Sequence, residues 1–334
     1  FAVRKGDWKL ILGPGSGGWS PPRDNEAYAA GNPPVQLFNL AVDSMEQNNV
    51  YMDHPGVVED LVVELRNIVE KGRSTPGTDQ PNHNGRKWWP GLPWHGPKEK
   101  FELNGRTAFV IRPAQLPGNK PVPWVWYAPT LGDGLPGEAE RWMFDRLYRE
   151  GIAVAGIDVG ESFGNPEGRA AFQELYSELT TNREFSPKPV LLARSRGGLM
   201  LYNWAAEHPD CVGGIAGVYP VCNLASYPGL DRAAPAYGMT AEELAAVLAE
   251  HNPIERLAPL AAAGVPIHHI HGDSDVVVPL EDNSGELILR YELLGGPCSI
   301  EIPEDRGHDM WLGWFQSQRL TDFIIQHAKK PRQL

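Results

Sequence analysis

A chain of 334 residues, 42% of them hydrophobic, is long enough for one large packed domain of about 250 residues and a smaller one. No apolar run approaches the ~20 residues of a membrane helix. The net charge of −12, with no stripe of Lys and Arg, excludes nucleic acid and anionic membranes as expected partners.

Cys211, Cys222 and Cys298 are odd in number and lack metal spacing, which argues against a disulfide framework, although Cys211 and Cys222 could meet in the fold. Eleven Trp is a high count; core packing accounts for most Trp, and stacking on carbohydrate is the second use. No signal peptide precedes Phe1 and there is no initiator Met, as expected of a chain that starts within a longer polypeptide. The compartment stays open, with the periplasm or secretion favoured.

Residues 1–80 read as a first unit. Val3 to Leu12 predicts a hairpin around Lys5-Gly6-Asp7. Gly13 to Pro34, rich in Gly, Pro, Asn and Ser, predicts a loop, and Val35 to Leu40 a strand. Asp53 or His54 then caps a helix from Pro55 to Lys71, with Val57, Val58, Leu61, Leu65, Ile68 and Val69 at helical spacing and Gly72 ending it.

These segments resemble a known module. Arg4 to Leu10, Gln36 to Leu40 with Asp43, Glu46 and Asn49, the closing helix, and Gly72 to Gly77 are similar to the C-terminal subdomain of type I arylsulfatases. The resemblance implies a small antiparallel sheet with one packed helix, an α+β subdomain. The chemistry of that family sits in a larger upstream domain, where a Cys or Ser in a Cys/Ser-x-Pro/Ala-x-Arg motif becomes formylglycine beside calcium. None of the three Cys here begins that motif, so no sulfatase activity carries over.

Residues 81–97 read as a linker rich in Pro and Trp, with Trp88, Trp89 and Trp94 expected either to strap across the next domain or to wall a substrate cleft. Residues 98–334 change to strands alternating with helices. An antiparallel hairpin turns at Asn104-Gly105. Strands follow at Trp124 to Ala128, Ile152 to Asp158, Val190 to Ala193, Gly214 to Tyr219, Val265 to His271 and Ser299 to Ile302. Helices between and after them predict a mostly parallel sheet covered on both faces, with ligands at the carboxyl ends of the strands.

At the centre of this pattern stands Ser195. The apolar strand Val190 to Ala193 must reverse within a few residues into a helix carrying Leu199, Leu201, Tyr202 and Trp204. Small residues, Ala193 and Gly197, flank the serine at minus two and plus two, the nucleophile-elbow pattern with Ala in the first place. A serine hydroxyl is a weak nucleophile at neutral pH and needs a base oriented by a carboxylate. Asp275 lies in the turn leaving the strand Val265 to His271, and His308 in the loop before the last helix. Asp273 is the rival acid. The order Ser195, Asp275, His308 is that of the α/β-hydrolase fold.

Residues 98–328 resemble the α/β-hydrolases, in particular the dienelactone-hydrolase and prolyl-oligopeptidase-like esterases, and among them a group of bacterial, often planctomycete, esterases. The segments that carry the likeness are Ser195 to Leu199, Tyr202 to Ala205, Pro220 to Cys222, Asn252 to Ile254, Gly272 to Pro279 and Gly307-His308. The resemblance implies a serine hydrolase and does not fix the substrate. Its oxyanion hole calls for two backbone N–H groups, one from Arg196 and one from Thr130 or Leu131 in the loop after the Trp124–Ala128 strand. That loop lacks the His-Gly-Gly-Gly form. The Arg196 side chain either stabilises the oxyanion, as at the Ser-Arg pair of glucuronoyl esterases, or forms a surface ion pair.

Tyr219, Tyr227, Trp311 and Trp314 are candidate pocket aromatics, with core packing the commoner role for any one of them. No cofactor and no metal are expected, since acyl transfer to serine and then to water needs neither. The expected substrate is a small-molecule or carbohydrate ester, an acyl or uronate ester by the hint of the sulfatase-like neighbour. The alternatives are a prolyl-oligopeptidase-like peptidase, for which no propeller is present, and a catalytically inactive scaffold or binding protein. A dehalogenase is disfavoured, because that chemistry uses Asp where Ser195 stands. Oligomeric state is open.

Overall fold

The structure, a computed structural model, describes residues 2–16, 20–30, 32–33, 35–78, 98–113, 121–132 and 135–329. The expected linker, with Trp88, Trp89 and Trp94, lies outside the described residues. The chain divides into two compact units, Phe1–Pro97 and Lys98–Leu334.

In the first unit β1 (Ala2–Lys5), β2 (Trp8–Ile11) and β3 (Gln36–Asn39) form an antiparallel sheet in the order β1-β2-β3. The segment read as an unbroken loop, residues 13–34, contains a short helix, α1 (Asp24–Ala29). Local carboxylates account for the difference. Glu26 accepts the N–H of Arg23 at 2.8 Å, and Asp24, in the first turn, accepts that of Gly15 at 3.1 Å. The longer helix, α2 (Pro55–Lys71), starts with His54 at the cap position, which makes no side-chain capping bond; Pro55 fits the first turn. Val58, Leu61, Val62 and Leu65 share a buried core with Val3, Leu10 and Leu37.

The second unit is built on an eight-stranded sheet in the order β11-β10-β9-β8-β6-β7-β5-β4. Its strands are β4 (Lys98–Leu103), β5 (Arg106–Ile111), β6 (Trp124–Ala128), β7 (Ala153–Ile157), β8 (Val190–Arg194), β9 (Gly214–Val218), β10 (Ile267–Ile270) and β11 (Cys298–Glu301). β4, β5 and β7 pair antiparallel; the rest are parallel. Every residue of β6, β7, β8 and β9 is buried, which is why these segments read as unbroken apolar runs rather than alternating ones. β4 and β11, at the edges, carry exposed positions.

The helices are α3 (Arg141–Arg149), α4 (Pro166–Ser177), α5 (Gly197–Glu207), α6 (Leu230–Ala233), α7 (Ala241–Ala246), α8 (Ala258–Ala262), α9 (Glu286–Leu293) and α10 (Gln318–Ala328). α4 packs with α5 and α3 with α10, and both pairs touch the central strands. A sheet with two buried faces requires a helical layer on each. Trp126 anchors the core against Trp204 at 4.8 Å and Phe172 at 5.1 Å between ring centroids. Cys211, Cys222 and Cys298 are free thiols. Among the described residues no helix is long and apolar enough to cross a membrane.

The strand order sets the position of the site. β6 lies between β7 and β8, so the chain runs outward from β6 in opposite directions before and after that point. Such a reversal opens a crevice at the carboxyl ends of the two diverging strands. β8 ends there, one residue before Ser195.

Candidate active site

Ser195 joins β8 to α5 with a φ of 48°, a conformation costly for a residue with a side chain. Backbone bonds on three sides hold it there. Its N–H donates to the Val218 carbonyl at 3.0 Å, and its own carbonyl accepts from Gly198 at 2.9 Å and Val221 at 2.8 Å. Gly197 is fixed by space: a Cβ there would lie 2.1 Å from the Ala128 carbonyl oxygen. Ala193 at the opposite flank is fully buried and its methyl is accommodated. The elbow therefore needs glycine on the helix side only.

The imidazole of His308, from the loop after β11, bonds the Ser195 hydroxyl through Nε2 at 2.9 Å. Its Nδ1 bonds Oδ2 of Asp275 at 2.7 Å. Asp275 lies in the turn after β10, and its Oδ1 accepts the backbone N–H groups of Val277 at 3.0 Å and Val278 at 2.8 Å. Burial alone would raise its carboxyl. Hydrogen bonds from His271, His308 and the Val278 backbone outweigh that and hold it well below the usual carboxylate range. Asp273, the rival acid, is exposed, and among the described residues its carboxylate accepts only from its neighbour Ser274. The two loops are tied together where Ser274 N–H donates to the Arg306 carbonyl at 2.9 Å.

The remaining sequence-predicted residues fall into three groups. The N–H of Arg196 stands at the start of α5, where first-turn amides lack intrahelical acceptors. Its side chain forms an ion pair with Glu161 at 2.6 Å. Thr130 and Leu131 follow β6, whose end meets the elbow at Gly197; Thr130 is buried, with its hydroxyl donating to the Ile157 carbonyl, and Leu131 is half-buried.

Tyr219 and Trp314, candidates for the pocket or the core, are both buried, at 2% and 1% exposure. The Tyr219 ring packs on His308 at 4.4 Å, and Trp314 stands edge-on behind it at 5.1 Å. Both rings pack behind the imidazole. Trp311 is half-buried under the Arg306 guanidinium, which sits 4.4 Å from its ring. Tyr227, also half-buried, packs against the apolar cluster of Phe163, Leu199, Leu224 and Val278.

A second layer escaped sequence reasoning. Arg194, just before Ser195, is buried and pairs with Glu140 at 2.7 Å. Its Nε donates to the Tyr219 hydroxyl at 3.0 Å, and Tyr127 donates to the same Glu140 carboxylate at 2.7 Å. On the acid's side, Tyr202, His269, Ser284 and His271 bond in series. One signal for the latter was available: His269 and His271 are two residues apart in the expected strand Val265 to His271, which places them on one face, although β10 itself ends at Ile270. Among the described residues no group of three or more His, Cys, Asp or Glu side chains is placed to hold a metal ion.

The second unit has the α/β-hydrolase fold. It is similar to dipeptidyl peptidase 4 of Porphyromonas gingivalis, with a TM-score of 0.57 and 14% identity over 69% of this chain and 35% of that one. It is likewise similar to the acylaminoacyl peptidase of Pyrococcus horikoshii, with a TM-score of 0.57 and 15% identity over 71% of this chain and 42% of that one. An S-formylglutathione hydrolase from Agrobacterium tumefaciens matches with a TM-score of 0.55 and 14% identity over 70% of this chain and 93% of that one. The chain thus spans less than half the length of the first two proteins and nearly all of the third. No family model and no curated protein matches the sequence.

Proposed function

We propose that the chain is a serine hydrolase acting on carboxylic esters through Ser195, His308 and Asp275. The observation that carries the proposal is the continuous hydrogen-bonded path from the Ser195 hydroxyl through both nitrogens of His308 to the Asp275 carboxylate. In this reading the serine oxygen attacks the acyl carbon while its proton passes to Nε2 of His308. The imidazolium gives that proton to the departing alcohol. Water then adds to the acyl-enzyme, again with His308 as base, releasing the acid and restoring the serine. The Arg196 N–H and one from Thr130 or Leu131 would receive the oxyanion. Sugar esters are the substrate class this reading favours, from the likeness of residues 1–80 to a sulfatase subdomain.

Purified protein is expected to hydrolyse p-nitrophenyl acetate and to be labelled at Ser195 by a fluorophosphonate. Full turnover by Ser195→Ala would end the proposal. Peptidase activity is the second reading, favoured by the fold shared with two peptidases. A panel pairing aminoacyl esters with the matching amides separates the two.

A further inference from the structure

Behind Asp275 lies a line of buried polar side chains that the proposed chemistry does not use. Tyr202 OH meets Nε2 of His269 at 2.7 Å; Nδ1 of His269 meets the Ser284 hydroxyl at 2.9 Å; that hydroxyl meets Nδ1 of His271 at 2.8 Å. Nε2 of His271 lies 2.9 Å from the Val278 carbonyl and 3.3 Å from Oδ2 of Asp275. All four side chains are at most 1% exposed.

The directions of these bonds follow from one end. A carbonyl only accepts, so His271 carries its proton on Nε2. With one proton on each imidazole, Nδ1 of His271 accepts from Ser284, Ser284 accepts from Nδ1–H of His269, and Nε2 of His269 accepts from Tyr202. Every donor and acceptor in the line is then satisfied. Burial, with His271 and His268 nearby, holds His269 far below the usual histidine range, in keeping with a neutral ring. Room for that ring comes from β9: a Cβ on Gly217 would lie 2.5 Å from Cδ2 of His269.

We infer that Tyr202, His269, Ser284 and His271 are positioning residues that fix the His271 tautomer and thereby hold its Nε2–H, shared with the Val278 carbonyl, against Oδ2 of Asp275 beside His308. The line begins in α5, the helix that carries the serine at its head, and ends on the acid, so it ties two members of the proposed triad through the core. The inference rests on that triad. The charged and titratable groups around the line are few. His268, on the opposite face of β10, is bonded to Ser299 and Glu301. Cys222 is buried near Tyr202, and Tyr291 and Cys298 also act on the Tyr202 hydroxyl. Asp273 is exposed, and the last loop contributes His308 and Arg306.

Removing the His271 N–H leaves Oδ2 of the carboxylate to bind the His308 imidazolium harder. The test uses the full chain carrying Ser195→Ala, so that it needs no turnover. The reporter is the downfield proton resonance of Nδ1–H of His308, assigned by its loss in His308→Ala. His271→Leu, which deletes the donor, is expected to move the resonance further downfield. Ser284→Ala, which frees the tautomer, moves it the same way, and His271→Gln, which keeps a donor, leaves it near its original place.

With Ser195 restored, the two disruptive variants should lose about 10- to 100-fold in kcat on p-nitrophenyl acetate, at nearly constant KM. The acid limb of their kcat/KM profile should move to higher pH, and His271→Gln should remove most of both effects. A resonance unmoved in folded His271→Leu and Ser284→Ala overturns the inference. If His271→Leu does not fold, Ser284→Ala, the loss of one hydroxyl, decides alone. No downfield resonance in the parent overturns both this inference and the triad. The expected shifts in a protein that hydrolyses no ester would leave the positioning line standing and end the proposed function.

Discussion

At the scale of single residues, the site depends on atoms that have no freedom to move. Gly197 is one: with 2.1 Å between an added methyl and the Ala128 carbonyl oxygen, Gly197→Ala must shift either β6 or the elbow. Overpacking of this kind costs about 1–3 kcal/mol. A lowered urea midpoint, together with lost fluorophosphonate labelling, is the expected result. Asp275 is another. In Asp275→Asn, kcat on p-nitrophenyl acetate should fall by about 10⁴, because the base loses its orienting carboxylate. Stability gives an independent check. The folded protein holds the Asp275 carboxyl below its ordinary value, so the unfolded chain takes up the proton first. The stabilisation is complete above the unfolded value of about 3.9 and is lost as the pH falls towards the folded one. Urea titrations should therefore show wild type ahead of Asp275→Asn at pH 7, with the gap closing towards pH 3.

At the scale of elements, the loops that carry the site are braced from beneath. The Arg194–Glu140 pair joins the end of β8 to the short 3-10 turn Glu138–Glu140 ahead of α3, and Arg194 also steadies Tyr219 at the end of β9, against which His308 packs. Glu140 is wholly buried. Deleting one partner of a buried pair strands the other, at a cost of about 3–5 kcal/mol. Glu140→Leu should lower the unfolding free energy from urea titration by that order, and Glu140→Gln, which still accepts from Arg194 and Tyr127, by clearly less. Elements were also where sequence pattern was most and least legible. The fully buried strands β6 to β9 announced themselves as apolar runs. The short helix α1 did not, because Gly, Pro and Asn around it masked a helix made by local carboxylates.

At the scale of the whole molecule, each unit has its own hydrophobic core. Residues 98–334 produced alone are expected to unfold in one cooperative transition and to retain ester hydrolysis, measured by thermal melting and by p-nitrophenyl acetate turnover. Loss of cooperative folding in that fragment would show that the units depend on one another.

What the sequence determined by itself was periodic or ordered along the chain: the alternation of apolar strands and helices, the small residues around Ser195, and the succession of Ser195, Asp275 and His308. These are local or sequential properties, set by side-chain size and spacing. Tertiary structure alone decided the rest. Tyr219 and Trp314 read as core or pocket, with core the commoner use, because an aromatic ring suits both; only the packing beneath His308 gave them their place. Glu140 and Arg194, like Tyr202 and His269, are far apart in the chain and become partners only when the sheet closes over them. A buried polar group must find a partner, but the sequence does not say which one; the strand order does.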